Sequence, residues 1–413
     1  MPQKLRRRGP RVFHRRRYRP LKIILWVAGA AVLVTGGFFG AKYMIEGLPH
    51  REAKVSSVPA SSQPADSSVP PVSSEPVTPP AGTVDRLRAV YLPLSRLTDA
   101  AGRDALLDQT AAAGFNAVLF DLKGENGDLY YVSATELAVQ SKATAADALP
   151  MEELAALATR MREKGLLPLP RLYAFKDHKA PYQLHTAKIQ LDDNHAWTWL
   201  DNSKDKGGKP WLNPYSADAH RYILGLLEEL KGVGFTAVML DGVQFPLQTS
   251  SAYFGDGEWK SLSKGDMLKK FVEEATQTMG DGDLLLAAPG LATLGDGTAP
   301  YGGNPLTQGA KTVAPILLPS TLGSRIASGE ETLNNPADHP YDAVRLALSQ
   351  VRLRLQLMDE AERPLIVPWL QAEGYSATQV GDQIRAVKES GGEDAPYILY
   401  HPDGAYDMTA LNG

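Results

Sequence analysis

From Val84 onward the chain reads as an α/β protein of the (β/α)8 TIM-barrel class, and three observations carry that reading. Short apolar runs alternate with amphipathic stretches, the pattern of a parallel sheet whose strands are joined by helical crossovers. Eight such runs can be read: Arg88 to Leu94, Asn116 to Asp121, Leu167 to Tyr173, Thr236 to Asp241, Leu284 to Ala288, Val313 to Leu318, Leu365 to Leu370 and Tyr397 to Tyr400. Several of them end on a polar side chain, where a parallel barrel keeps its chemistry. An open doubly wound sheet is the alternative.

What precedes the barrel has a different composition. Residues 1–22 hold ten Lys and Arg and no Asp or Glu, so the formal net charge of −4 leaves a distinctly acidic remainder. Residues 23–41 follow without a single charge, close to the length of apolar helix that spans a bilayer core. The basic flank lies wholly on the N-terminal side, so the expectation is an uncleaved transmembrane anchor with a cytoplasmic N-terminus and an extracellular barrel. Anionic lipid and topology account for the arginines, and no nucleic-acid partner is expected. Residues 42–83 form a linker whose Ser- and Pro-rich part lacks helical or strand period and has too little apolar surface to offset ordering entropy. The barrel domain is then 84–413.

Helices are expected at Glu152 to Lys164, Ala217 to Lys231, Lys264 to Met279, Tyr341 to Met358 and Ala377 to Ser390. Two connections, Ala174 to Tyr215 and Gly290 to Lys311, are too long to be bare loops and read as functional excursions. The chain has no cysteine, which excludes disulfides, thiolate metal sites and a thiol nucleophile. His178, His185 and His195 lack the spacing of a helical metal motif, and no phosphate-cradling or dinucleotide glycine pattern occurs. Neither a metal nor a cofactor is therefore expected.

The strand ends present Asp121 with Lys123, Arg171 with Asp177, Asp241, Trp369 with Gln371 and Glu373, and His401 with Asp403. Converging carboxyls are what glycosidic cleavage requires, one to protonate the leaving oxygen and one to attack or to activate water. A neighbouring cation such as Lys123 or Arg171 would push their pKa values apart. Trp197, Trp199, Trp211, Trp259 and Trp369 could stack on sugar rings or pack the long connections onto the barrel.

FNAVLFDLKGENGDLYY (115–131), EKGLLPLPRLYAFKD (163–177), KPWLNPYSADAHRYILGLLEEL (209–230), GFTAVMLDGVQFP (234–246) and VPWLQ (367–371) come in the order and spacing of a bacterial family, the putative glycosyl hydrolase domain. The resemblance covers nearly all of 88–407. It implies a TIM barrel distantly similar to α-amylase-like glycosidases. Asp121, Lys123, Gly127, Arg171, Phe175, Lys176, Asp177, Trp211, Pro214, Tyr215, Asp241, Phe245 and Pro246 match its motifs. Gly124, Glu125, Asn213, Gly242 and Gln244 depart from them, and of the motif after the sixth strand only Pro319 is kept. The expectation is a membrane-anchored hydrolase of a cell-envelope or environmental polysaccharide. Asp241 would be nucleophile or electrostatic stabiliser, and Asp121 or Glu373 the acid/base. Lys123, Arg171, Asp177, Trp211, Gln244, Trp369, Gln371 and His401 would hold the sugar. Gln244 in place of Arg loses a fixed bidentate cation, so the alternative is a catalytically degenerate barrel that binds glycan or organises the envelope.

Overall fold

The computed structural model describes residues 84–411. The expected basic tail, anchor and linker lie outside them. Among the described residues no helix is long and apolar enough to cross a membrane.

Eight parallel strands close into a barrel: β1 (Arg88–Tyr91), β2 (Ala117–Lys123), β3 (Leu167–Tyr173), β4 (Ala237–Asp241), β5 (Asp283–Pro289), β6 (Thr312–Ile316), β7 in two pieces (Leu365–Ile366 and Trp369–Gln371) and β8 (Tyr397–Tyr400). Each pairs with its sequence neighbours, and β1 pairs with both β2 and β8, which leaves no free edge. Around them lie α1 (Arg103–Ala112), α2 (Met151–Glu163), α3 (Ala217–Gly232), α4 (Lys264–Met279), α5 (Pro340–Leu355) and α6 (Ala377–Gly391). Behind β5 stands only a five-residue helix, Gly290–Leu294. The closed barrel rules out the doubly wound alternative.

Helix starts follow local chemistry. Ser216 and Ser263 accept hydrogen bonds from Ala219 N and Asp266 N, and Ser376 with Gln379 forms a capping box. On α3, Tyr222, Ile223, Leu226, Leu227 and Leu230 make one buried stripe, each large apolar side chain contributing about 1.5–3 kcal/mol of burial.

Two apolar layers result. Inside the barrel Ala89, Leu119, Leu169, Met239, Ala287, Ala314, Val367 and Ile398 pack together. The intervening residues Val90, Val118, Phe120, Val238, Leu240 and Leu286 face the helices. Because strand side chains alternate, the residues two beyond the inward set point to the barrel axis at its C-terminal mouth. That parity selects Tyr91, Asp121, Arg171, Asp241, Trp369 and Tyr400.

Some elements were not expected. β2 runs on to Lys123 and turns antiparallel into Leu129–Tyr131, whereas β6 stops at Ile316, short of the expected Leu318. A hairpin of Arg325–Ser328 with Glu331–Asn334 lies between β6 and α5. The long connection after β3 carries the strands Gln190–Leu191 and Asn194–Thr198, which join Ala252–Tyr253 from the β4–α4 connection in a small antiparallel sheet.

Candidate active site at the barrel mouth

Arg171 is the centre of the mouth. It stands in register with Asp121 on β2, and its side chain is only 8% exposed. Nε donates to Asp121 Oδ1 at 2.6 Å and Nη2 to Asp121 Oδ2 at 3.0 Å, a two-pronged pair. Nη1 donates to Asp241 Oδ2 at 3.3 Å. One buried cation therefore joins the two strand-end carboxylates. Tyr91 adds a hydroxyl donor to Asp121 Oδ2 at 2.9 Å. The guanidinium carbon lies 5.0, 5.1 and 5.7 Å from the ring centroids of Trp369, Tyr173 and Tyr91. Tyr400 completes the aromatic wall, 5.1 Å from Tyr91 and 5.4 Å from Trp369.

Asp241 is the more deeply buried carboxyl, and its Oδ1 accepts from the Gly242 amide at 2.6 Å. Burial pushes its pKa up, with Arg171 and the Gly242 amide pulling against that and Asp121 adding to it. Burial and the Asp121 charge likewise push the Tyr91 hydroxyl up, so it stays a donor. Gly242 has φ +61°, and a Cβ there would sit 3.0 Å from Lys176 Cβ and 3.2 Å from Tyr173 Cδ1. Glycine at this position lets the loop close over the strand end.

The expected site residues separate into groups. Asp121, Arg171, Asp241 and Trp369 come together. Glu373 follows β7 and is exposed, and its carboxylate has no hydrogen-bond or ion-pair partner among the described residues. Gln244 accepts a hydrogen bond from Tyr301 of the β5–β6 connection. Gln371 is buried and occupied internally, accepting from Ser320 N and donating to Glu373 O. His401 is turned onto its own loop, where Nδ1 accepts from Asp403 N. Trp211 is buried in the β3–α3 connection, its Nε1 donating to Asp201 Oδ2 at 3.0 Å. Its indole packs that connection with Ile189 and Trp199.

Lys123 and Asp177 face each other, both side chains fully enclosed, with Nζ 2.7 Å from Oδ2. The pairing of β2 with β3 shifts register between Asp121 and Lys123. That irregularity turns Lys123 out of the axial series, and its ammonium lies 5.7 Å from the Tyr222 ring of α3. Lys123 also donates to Tyr173 O, while Asp177 Oδ1 accepts from Lys179 N and Ala180 N. The pair ties the start of the β3–α3 connection to β2 and acts on the mouth through what it holds. Gly127 makes room for it: φ is +93°, and a Cβ would run into Asp177 Oδ1. Gly127→Ala should lower stability by about 1–3 kcal/mol, read from denaturant unfolding; a change within 0.5 kcal/mol of zero would show that the Asp177 cradle has slack.

Tyr91 and Tyr400 were absent from the expected set. Both end short apolar strands in the inward parity, a signal visible in the sequence but indistinguishable there from ordinary core. Among the described residues no group of three or more His, Asp or Glu is placed to hold a metal ion.

The family model described as "Putative glycosyl hydrolase domain" matches residues 89–406. None of the curated proteins matches the chain. Among solved structures, an α-galactosidase from Thermus thermophilus in complex with p-nitrophenyl α-D-galactopyranoside is similar at 14% identity and a TM-score of 0.46, over 79% of this chain and 60% of that one. The α-L-fucosidase isoenzyme 2 of Paenibacillus thiaminolyticus is similar at 13% identity and 0.46, over 79% of this chain and 48% of that one. The Flavobacterium johnsoniae chitobiase is similar at 10% identity and 0.46, over 79% and 47%. The chain thus spans less than two thirds of the length of each of the three.

Proposed function

The chain belongs to the Putative glycosyl hydrolase domain family, and from that premise we propose that it is a membrane-anchored extracellular glycoside hydrolase of a cell-envelope or environmental polysaccharide. The observation that carries the catalytic part is the Asp121–Arg171–Asp241 bridge at the mouth, walled by Tyr91, Tyr173, Trp369 and Tyr400. The anchor rests on the uncharged residues 23–41 behind a basic tail.

Roles follow from environment. Asp241, whose pKa is raised by burial, is suited to give the proton to the leaving oxygen, and Oδ2 is the oxygen with the looser internal contact. Asp121, held by three donated hydrogen bonds, supplies the negative charge that an oxocarbenium-like transition state needs. Glu373, exposed at the end of β7, is the carboxyl open to a water. This changes the expected part of Asp241, from nucleophile or electrostatic stabiliser to proton donor.

The full-length protein, incubated with envelope and plant glycans while reducing ends are counted, tests the reading. Asp241→Asn should lower turnover roughly 10²–10⁴-fold, the usual worth of a general acid. Wild-type activity should fall as pH rises through the raised Asp241 pKa, since the donor is then lost. A profile flat on its alkaline side would remove Asp241 from that role.

One observation favours the second reading, a glycan-binding barrel without turnover. Every carboxylate oxygen of Asp121 and Asp241 already has an internal donor. Retention of a glycan by wild type and Asp241→Asn alike, with no new reducing ends, would establish it.

A further inference from the structure

Five of the seven exposed large apolar side chains among the described residues lie on the side of the barrel that carries the mouth, Val132 and Val139 in the β2–α2 connection, Tyr182 and Trp197 in β3–α3, and Leu247 in β4–α4; the other two, Leu353 and Leu357, lie at the end of α5 and just beyond it. Trp197 is the largest of them and is 65% exposed. It sits on the strand Asn194–Thr198 of the small sheet, two residues from His195 and hence on the same face. The His195 ring stacks on Tyr253, from the far strand of that sheet, at 3.6 Å and 5° between planes. Trp199, next along the chain, is 3% exposed and donates Nε1 to Ser250 O, so it already fixes the connection. The connection thus has its packing tryptophan, and Trp197 has no such task.

The sheet itself is anchored to the mouth. Phe254, next to Tyr253, packs on Phe245 and Tyr215, and its carbonyl accepts from Asn213 Nδ2. Phe245 follows Asp241 by four residues on the same chain segment. Lys188 Nζ donates to Ala196 O and Thr198 Oγ1, holding the outer strand in place. The aromatic face is therefore built on a supported element next to the strand that carries Asp241.

We propose that Trp197, with the His195–Tyr253 stack beside it, is an accessory sugar-binding platform that holds an uncharged or amino-bearing polysaccharide chain at the rim of the mouth. An exposed indole offers a flat apolar face to the C–H face of a pyranose, and imidazole and phenol supply polar edges for hydroxyls. Charge selects among occupants. Asp192 and Asp193, in the turn between the two paired strands, are exposed and have no ion-pair partner among the described residues, whereas Asp256 is offset by Lys260. These two free carboxylates disfavour an anionic lipid surface and suit a neutral or cationic glycan. The inference rests on the carbohydrate reading above but does not need turnover.

The test is co-sedimentation of the full-length protein with partially deacetylated chitin and, in parallel, with phosphatidylglycerol vesicles. Wild type should be retained by the polysaccharide, and Trp197→Ala should weaken retention about tenfold, the scale of one lost aromatic stack. Trp197→Phe, which keeps a ring, should recover part of it. Circular dichroism of each variant guards against misfolding. Equal retention of wild type and Trp197→Ala, no retention of wild type, or Trp197-dependent binding to the vesicles would each overturn the platform. Loss of reducing-end release with retention intact would count against the hydrolase and leave the platform standing.

Discussion

Arg171→Met should lower the stability of the barrel by about 3–5 kcal/mol at neutral pH and abolish any turnover, because removal of one partner leaves the other charges buried and unpaired. Two carboxylates depend on this guanidinium: Asp121 through two hydrogen bonds and Asp241 through one. Their side chains are only 18% and 10% exposed, so water cannot replace the lost cation fully. The sign of the pH dependence follows. Burial already raises the Asp241 pKa and Arg171 opposes it, so without the cation it rises further above the unfolded value near ~3.9 and the folded chain binds more protons in the interval between. Stability is then lost as pH rises through that interval and regained as pH falls. Urea unfolding at pH 4.5 and pH 7.5 reads the difference: the deficit of the variant should be larger at pH 7.5. Equal deficits would mean that Arg171 acts through packing against Trp369 and Tyr173 alone. Arg171→Lys keeps the charge but not the fork, and should fall between wild type and methionine.

How much of this was legible beforehand turns on strand parity. Asp121, Arg171, Asp241 and Trp369 lie two residues beyond inward core positions, so a period of two carries each of them to the axis. Spacing along the strands was enough to bring them together. Lys123 obeys the same count and still leaves the site, because the register shift after Asp121 turns it toward α3. Such an irregularity depends on how β2 and β3 pair across fifty residues of chain, which no local pattern encodes. The tryptophans divide for a similar reason. Trp197 and Trp199 are equivalent in composition and neighbourhood, and only the small sheet, whose third strand arrives from the next connection, decides that one is exposed and the other enclosed. Gly242 departs from the family motif where a side chain would meet Lys176 and Tyr173, so that departure is a packing solution of this loop.

The Lys123–Asp177 pair should give the second large effect, with the opposite pH sign. Lys123→Met leaves Asp177 fully enclosed with two backbone donors and no cation, at a cost of about 3–5 kcal/mol. Asp177→Asn should cost less. Its side-chain oxygen can still accept from Lys179 N and Ala180 N, and Lys123 keeps Tyr173 O as an acceptor. The ammonium can also lose its charge. Burial already pulls the Lys123 pKa down, with Asp177 the chief counterweight, so the asparagine variant drives it lower and the amine sheds its proton. A lysine whose folded pKa is depressed costs stability below that pKa, and the cost disappears as pH rises toward the unfolded value. The Asp177→Asn deficit should therefore shrink in alkali, where that of Arg171→Met does not. Combining Lys123→Met with Asp177→Asn removes both charges, so the double variant should be more stable than the sum of the single losses implies. A double-mutant cycle by urea unfolding measures this, and additivity within about 0.5 kcal/mol would show that the two groups do not depend on each other.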